Sequence, residues 1–129
     1  MAVALLAGCG GRSDLARVTG KVTLDGQPLV GAFIVFAPTK QGTSSRGKTD
    51  AVGNYEMMFT DREKGAWIGE NLVRIETADV GPGGAWSKER VPIVYNKNTT
   101  LKVDVKPRTN TFNFDLDSKA GKIGPAQTE

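Results

Sequence analysis

The sequence predicts an all-β fold, a seven-stranded antiparallel Greek-key β-sandwich, and three observations carry that reading. Apolar and polar residues alternate at period two in several short stretches, as Val18, Gly20, Val22 and Leu24 do against Arg17, Thr19, Lys21 and Thr23. The stretches recur about every ten residues, the spacing of short sandwich strands. They are separated by turn residues, with 16 Gly and 6 Pro in 129 positions, and no segment has convincing helical periodicity.

The elements follow in order. Residues 17–24 form the first strand, and Asp25-Gly26 closes it in a tight hairpin because Gly accepts positive φ without a steric penalty. Pro28 lacks an amide donor and suits the turn or the start of the next strand. Residues 32–37, with Phe33, Ile34, Val35 and Phe36 apolar on both parities, read as a strand covered on both sides or over a satellite cluster. A polar loop (39–46) leads to a short edge strand at 47–49, and a turn capped by Asp50 leads to a strand over 55–60 with Tyr55, Met57 and Phe59 on one parity. After a charged loop, residues 71–77 form a strand with Val73, Ile75 and Thr77 inward. Residues 78–91 make the longest irregular stretch, and 91–96 return as a short extended segment. Leu101, Val103 and Val105 alternate with Lys102, Asp104 and Lys106, and Phe112, Phe114 and Leu116 with Asn113, Asp115 and Asp117, giving two final strands with one wet face each.

Composition removes several function classes. A net charge of +3, from 17 basic and 14 acidic residues, is mild and evenly scattered, and no arginine-rich run or basic stripe points to nucleic acid. The chain has no histidine and one cysteine, Cys9. Histidine-based metal sites, Ser-His or Cys-His catalytic pairs and an intrachain disulfide are therefore excluded. No catalytic residues, metal ligands or cofactor are assigned.

The N-terminus carries the one residue with an expected chemical fate. Leu6-Ala7-Gly8-Cys9 matches the bacterial lipobox, in which small residues suit the signal peptidase and the cysteine thiol takes a diacylglyceryl group. Two or three acyl chains give a durable anchor where one is marginal. The apolar run before Cys9 is short and lacks a preceding Lys or Arg, as expected of a signal peptide truncated at its start. The expected organisation is a signal-peptide remnant at 1–8, a tether at 9–15, the sandwich at 16–118 and a flexible tail at 119–129. The expected location is the bacterial cell envelope, as a membrane-anchored lipoprotein facing the periplasm or the exterior.

Val18-Thr19-Gly20-Lys21-Val22-Thr23-Leu24-Asp25-Gly26-Gln27-Pro28-Leu29, then Gly31-Ala32, then Thr49-Asp50 with Gly53-Asn54-Tyr55, resembles carboxypeptidase regulatory-like domains. Val91 to Asn96 with Thr99-Thr100-Leu101, and Asn110 to Leu116, look like the small secreted lipoproteins of this type in planctomycete bacteria. The resemblance spans roughly residues 16–118. It implies a transthyretin-like (prealbumin-like), Ig-like sandwich, and carries over no site residue except acylated Cys9. Val52-Gly53 stands where the family pattern usually has Asp-Gly. The hydroxyisourate hydrolases share this fold, but their chemistry needs histidines and a Tyr-Arg-Gly-Ser ending, and this chain ends Gln127-Thr128-Glu129.

The remaining candidates are weighed on their chemistry. Trp67 and Trp86 lie in Gly-rich loops, where an exposed indole stacks on sugar rings; the plainer role is to cap the two ends of the core. Lys21, Asn113 and Glu76 are the residue types of a Lys–Asn isopeptide crosslink, which needs a desolvated amine; Lys21 and Asn113 sit on the wet parity. Asp50 with Asn54, and Asp115 with Asp117, offer oxygen atoms to calcium but lack the ligand density of a dedicated loop. Phe33 and Val35 form an apolar stripe for which cover by a loop or the tail is expected. The expectation is a non-enzymatic, lipid-anchored module with a structural role or an envelope protein or glycan as partner. The alternatives are a carbohydrate-binding module using Trp67 and Trp86, and a carboxylate-based hydrolase, which would need two acidic groups about 5 to 9 Å apart in one cleft.

Overall fold

A computed structural model of the chain describes residues 14–124. Ten strand segments form two sheets. The first is built around one long strand, β1 (Leu15–Leu24), flanked by β2 (Gln27–Pro28), β5 (Asn54–Glu56), β6 (Ala66–Trp67), β9 (Thr109–Thr111) and β10 (Phe114–Leu116). The second has the order β4-β3-β7-β8, from β3 (Phe33–Pro38), β4 (Ser45–Lys48), β7 (Gly69–Glu76) and β8 (Lys102–Val105), and is antiparallel throughout.

β1 is long enough to serve five partners because its two backbone edges face different ones. The Val22 amide donates to Gly53 O (2.9 Å), Val22 O accepts the Leu29 amide (3.0 Å) and Val18 O accepts the Met57 amide (2.9 Å). On that edge β6, β5 and β2 pair antiparallel to β1 in succession. On the other edge the Arg17 amide donates to Arg108 O (2.9 Å) and Thr19 O accepts the Phe112 amide (3.0 Å). There β9 and β10 run parallel to β1. They are one final strand interrupted at Phe112-Asn113, where the Asn113 side-chain oxygen accepts the Lys21 amide (3.0 Å) in place of a ladder partner.

The interruption dictates Gly20. A Cβ on Gly20 would lie 1.8 Å from Phe112 O and 2.8 Å from the Tyr55 hydroxyl oxygen. The carbonyl that crowds Gly20 is in turn satisfied by the Tyr55 hydroxyl, which donates to it at 2.6 Å. Burial pushes the Tyr55 phenol well above the usual range. Only glycine lets these three segments meet.

The faces packed between the sheets are the ones the alternation marks. Val18, Val22, Tyr55, Phe114 and Leu116 of the first sheet, with Met57 just after β5, pack against Ile34, Phe36, Val73, Ile75 and Val105 of the second in one buried cluster. Phe36 bridges them, with its ring 6.2 Å from Phe112 and 6.5 Å, edge-on, from Phe114. Phe33 and Val35 point outward and are half-buried, Phe33 beneath the Lys48 ammonium (5.0 Å to the ring centroid). The β1–β2 hairpin has Asp25 and Gly26 at φ 54 and 83, both left-handed as a two-residue turn of this kind demands. The Asp25 carboxylate accepts the Ser118 hydroxyl (2.6 Å) and amide (2.9 Å), and these bonds hold its carboxyl below the usual range.

The sequence predicts an antiparallel sandwich, whereas the final strand is split and pairs parallel with β1, because alternation marks the buried face and not the neighbour. Three further elements differ from the sequence reading. The strand expected over 55–60 ends at Glu56, because the Thr60 hydroxyl takes the Arg62 and Glu63 amides (3.2 and 3.0 Å) and turns the chain, while Met58 bridges Arg46 and Lys64. The charged loop after it contains β6, which pairs with Leu15 and Ala16. Residues 91–96 are not extended: Ile93–Tyr95 form a 3₁₀ turn, and buried Asn96 donates from its side chain to Ile75 O (3.1 Å), Pro92 O (3.3 Å) and Val91 O (3.4 Å). Within 119–129, the described residues reach back to this turn, with Lys122 O accepting the Ile93 amide (2.8 Å).

Gly20→Ala is expected to destabilise the fold by about 3 kcal/mol, since the obstructing atom is backbone, and Tyr55→Phe by about 1–2 kcal/mol through the unsatisfied Phe112 carbonyl. Urea unfolding of the variants checks both; an unchanged midpoint for Gly20→Ala would contradict the tight contact between Phe112 and Gly20.

Candidate functional site

A hollow of about 850 Å³ lies where β7 begins. Trp67, Ile68 and Gly69 line it together with Lys40, Glu70, Lys102 and Asp104. The corner is fixed by Asn71, fully buried, whose side-chain amide donates to Trp67 O (2.9 Å) and Gly69 O (3.1 Å). Gly69 takes the left-handed conformation (φ 115) that the corner requires. The Trp67 ring is tilted at 42° against Phe59, 6.2 Å between centroids, and Gly42 lies so close to the indole that a Cβ there would be 2.4 Å from it. The indole is therefore half-buried and held in one orientation while it lines the hollow.

The rim is polar because the outward parity of β7 and β8 is polar. Glu70 and Asp104 are direct register partners across the β7–β8 ladder, so both carboxylates stand on the same face. Glu70 accepts the Thr39 hydroxyl (2.8 Å) and lies 4.0 Å from the Lys102 ammonium; Asp104 lies 2.7 Å from that of Lys106. The Glu70 and Asp104 side chains are 45% and 60% exposed.

Trp86 is not part of this hollow. Trp67 precedes β7 and Trp86 follows it, and the eight residues of β7 span roughly 26 Å at about 3.3 Å each. Trp86, 41% exposed, bridges to exposed Val80 on a tongue beyond the far end of β7. The two tryptophans therefore cannot share a small ligand. The base of that tongue is tied by Glu89. Its carboxylate accepts the Thr77 amide and hydroxyl (both 2.8 Å) and the amides of Ala78 (3.2 Å), Arg90 (3.2 Å) and Val91 (3.1 Å).

The other candidates are placed as follows. Cys9 lies outside the described residues. Lys21 and Asn113 are exposed, with the Asn113 oxygen spent on a backbone amide, and Glu76 belongs to the other sheet, paired with Phe33. Crosslink chemistry therefore lacks its desolvated amine. Asp50 caps its turn, accepting the Val52 and Asn54 amides (3.0 and 2.9 Å). Asp115 accepts the Thr23 hydroxyl (2.9 Å) and Asp117 the Lys119 amide (2.8 Å). Among the described residues, no group of three or more acidic, Cys or His side chains is arranged to hold a metal ion. No described helix is long and apolar enough to cross a membrane.

Glu70, Lys102 and Asp104 escaped the sequence reading as site residues because outward charges on strands look like ordinary wet faces. Glu89 gave no signal in a stretch that reads as irregular. Asn71, Asn96, Asn110 and Asn113 did carry one: asparagine disfavours strands, so four of them in or beside strands mark backbone groups that need side-chain partners.

No family model matches the chain, and no curated protein matches it. The solved structures similar in part include two of low identity. One is a DUF3823 family protein from Parabacteroides merdae ATCC 43184, with 15% identity, a TM-score of 0.42 and coverage of 81% of this chain and 47% of the other. The second is a 9R-lipoxygenase from Cyanothece PCC8801, with 16% identity, a TM-score of 0.43 and coverage of 81% and 16%. The chain thus spans less than half the length of either.

Glu89→Ala is expected to destabilise the protein by about 2–3 kcal/mol, because several amides lose one shared acceptor. Hydrogen exchange at Ala78 and Val91 should accelerate well beyond that at Val22. Unchanged protection at 77–91 would contradict this role.

Proposed function

We propose that the chain is a non-enzymatic β-sandwich binding module, held in the bacterial cell envelope by acyl chains on Cys9, whose ligand is an envelope glycan bound at the Trp67 hollow. The carrying observation is the half-buried, oriented indole set among alternating carboxylates and ammonium groups. A sugar ring offers an apolar face to stack on the indole and hydroxyls that bridge Glu70, Lys102 and Asp104. Trp86 stands alone at the other end of β7, so the glycan reading belongs to Trp67 rather than to both tryptophans.

The transthyretin-like, carboxypeptidase regulatory-like assignment is part of the same proposal. Its support is the resemblance of residues 18–32 and 49–55, which here form β1, the Asp25-Gly26 turn and the Asp50 turn before β5. A hydrolase reading has one observation in its favour, the facing Glu70 and Asp104. A general acid needs a desolvated carboxyl, and both of these are open to water beside a lysine. Binding is the reading that this arrangement favours.

Calorimetric titration with soluble peptidoglycan fragments and neutral oligosaccharides tests the proposal. The expected result is binding in the micromolar to millimolar range, weakened about tenfold or more by Glu70→Gln with Lys102→Met and untouched by Trp86→Ala. Binding lost in Trp86→Ala and retained in the Glu70/Lys102 variant would refute it, as would no binding of any saccharide.

A further inference from the structure

A second hollow, about 390 Å³, opens beside the first residues of β1. Among the described residues, Arg17, Arg62, Lys64 and Arg108 line it with one acidic residue, Glu63. Arg17 and Lys64 share one partner, Glu56, at 2.6 and 3.7 Å. Arg62 and Arg108 form no ion pair among the described residues and are exposed. Asp61 lies next to Arg62 in the same loop and Asp14 next to Leu15, so it is in the lining of the hollow itself that cations outnumber acids.

Arg108 occupies a costly position. Its φ of 82 lies in the left-handed region, which favours glycine or asparagine, while its carbonyl accepts the Arg17 amide at 2.9 Å. The turn needs only that backbone shape, yet it carries a long cationic side chain.

Leu15 and Ala16 line the same hollow, so the chain comes into the fold at its edge. Cys9 stands five positions before Asp14, a reach of at most about 18 Å of fully extended chain. An acyl group on Cys9 would hold this end of the sandwich against a bilayer and leave the Trp86 tongue at the far end.

We propose that the Arg17–Arg62–Lys64–Arg108 end of the sandwich docks on anionic phospholipid headgroups and sets the orientation of the domain on the membrane. The inference rests on the lipid-anchor reading for its geometry. The contact is electrostatic: guanidinium and ammonium groups meet phosphate oxygens, and salt weakens it. Glu56 stays with Arg17 and Lys64, so the unpaired Arg62 and Arg108 make the strongest headgroup contacts.

The full chain with Cys9→Ser, which cannot be acylated, separates headgroup contact from the anchor. It should co-sediment at low salt with phosphatidylglycerol vesicles and not with phosphatidylcholine vesicles. Arg62→Gln and Arg108→Gly should each weaken that binding about five-fold, and the pair roughly thirty-fold, at the usual contribution of a basic residue near an anionic surface. Arg108→Gly suits the left-handed turn, so its loss of binding cannot be ascribed to misfolding. Equal binding to both vesicle types, no binding to either, or full binding by the double variant would overturn the proposal. Failure of the Cys9 protein to partition into any membrane when expressed behind a complete lipoprotein signal peptide would sink the anchor reading instead, and the two results are read in separate samples.

Discussion

The fold depends on one close backbone approach. The final strand runs along one edge of β1, and at its break between β9 and β10 the Phe112 carbonyl drops onto Gly20. A side chain at position 20 would hold the strands apart, and an unpaired carbonyl there would be costly to bury. The Tyr55 hydroxyl meets the second requirement at 2.6 Å. One glycine and one tyrosine thereby join three segments remote in sequence, and Phe112 in turn packs on Phe36 of the opposite sheet.

Much of this architecture is legible in the sequence because burial follows period two. Val18 and Val22, Ile34 and Phe36, and Val73 and Ile75 alternate as inward pairs, and each is fully buried. Asp25-Gly26 announces its hairpin through the φ values the turn requires. Parallel pairing of β1 with the last strand is invisible at this level, since alternation records which face is buried and not which neighbour runs alongside. The division of the last strand at Asn113, the 3₁₀ turn at Ile93–Tyr95 and the Glu89 anchorage are set by backbone hydrogen bonds that need side-chain acceptors or donors from far along the chain. Such needs have no local pattern. The candidate site was half legible: Trp67 stood out as an indole, whereas Glu70, Lys102 and Asp104 became partners only when β7 and β8 were in register.

The two ends of β7 divide the molecule's surface. At its start lie the Trp67 hollow, the start of β1 and the cationic hollow of Arg62 and Arg108. At its far end lies a Glu89-tied tongue that exposes Val80 and Trp86. Acylation of Cys9, as proposed, would turn the first of these ends toward the bilayer, hold a glycan at Trp67 close to the membrane surface and leave the tongue facing away.

The location and orientation proposed for the domain both rest on the chemical fate of Cys9. Intact-mass analysis of protein extracted from membranes with detergent tests this directly. The account requires a chain beginning at Cys9 and carrying the mass of a diacylglyceryl group, with or without an N-acyl chain. A soluble, unmodified species beginning at Met1 would contradict it.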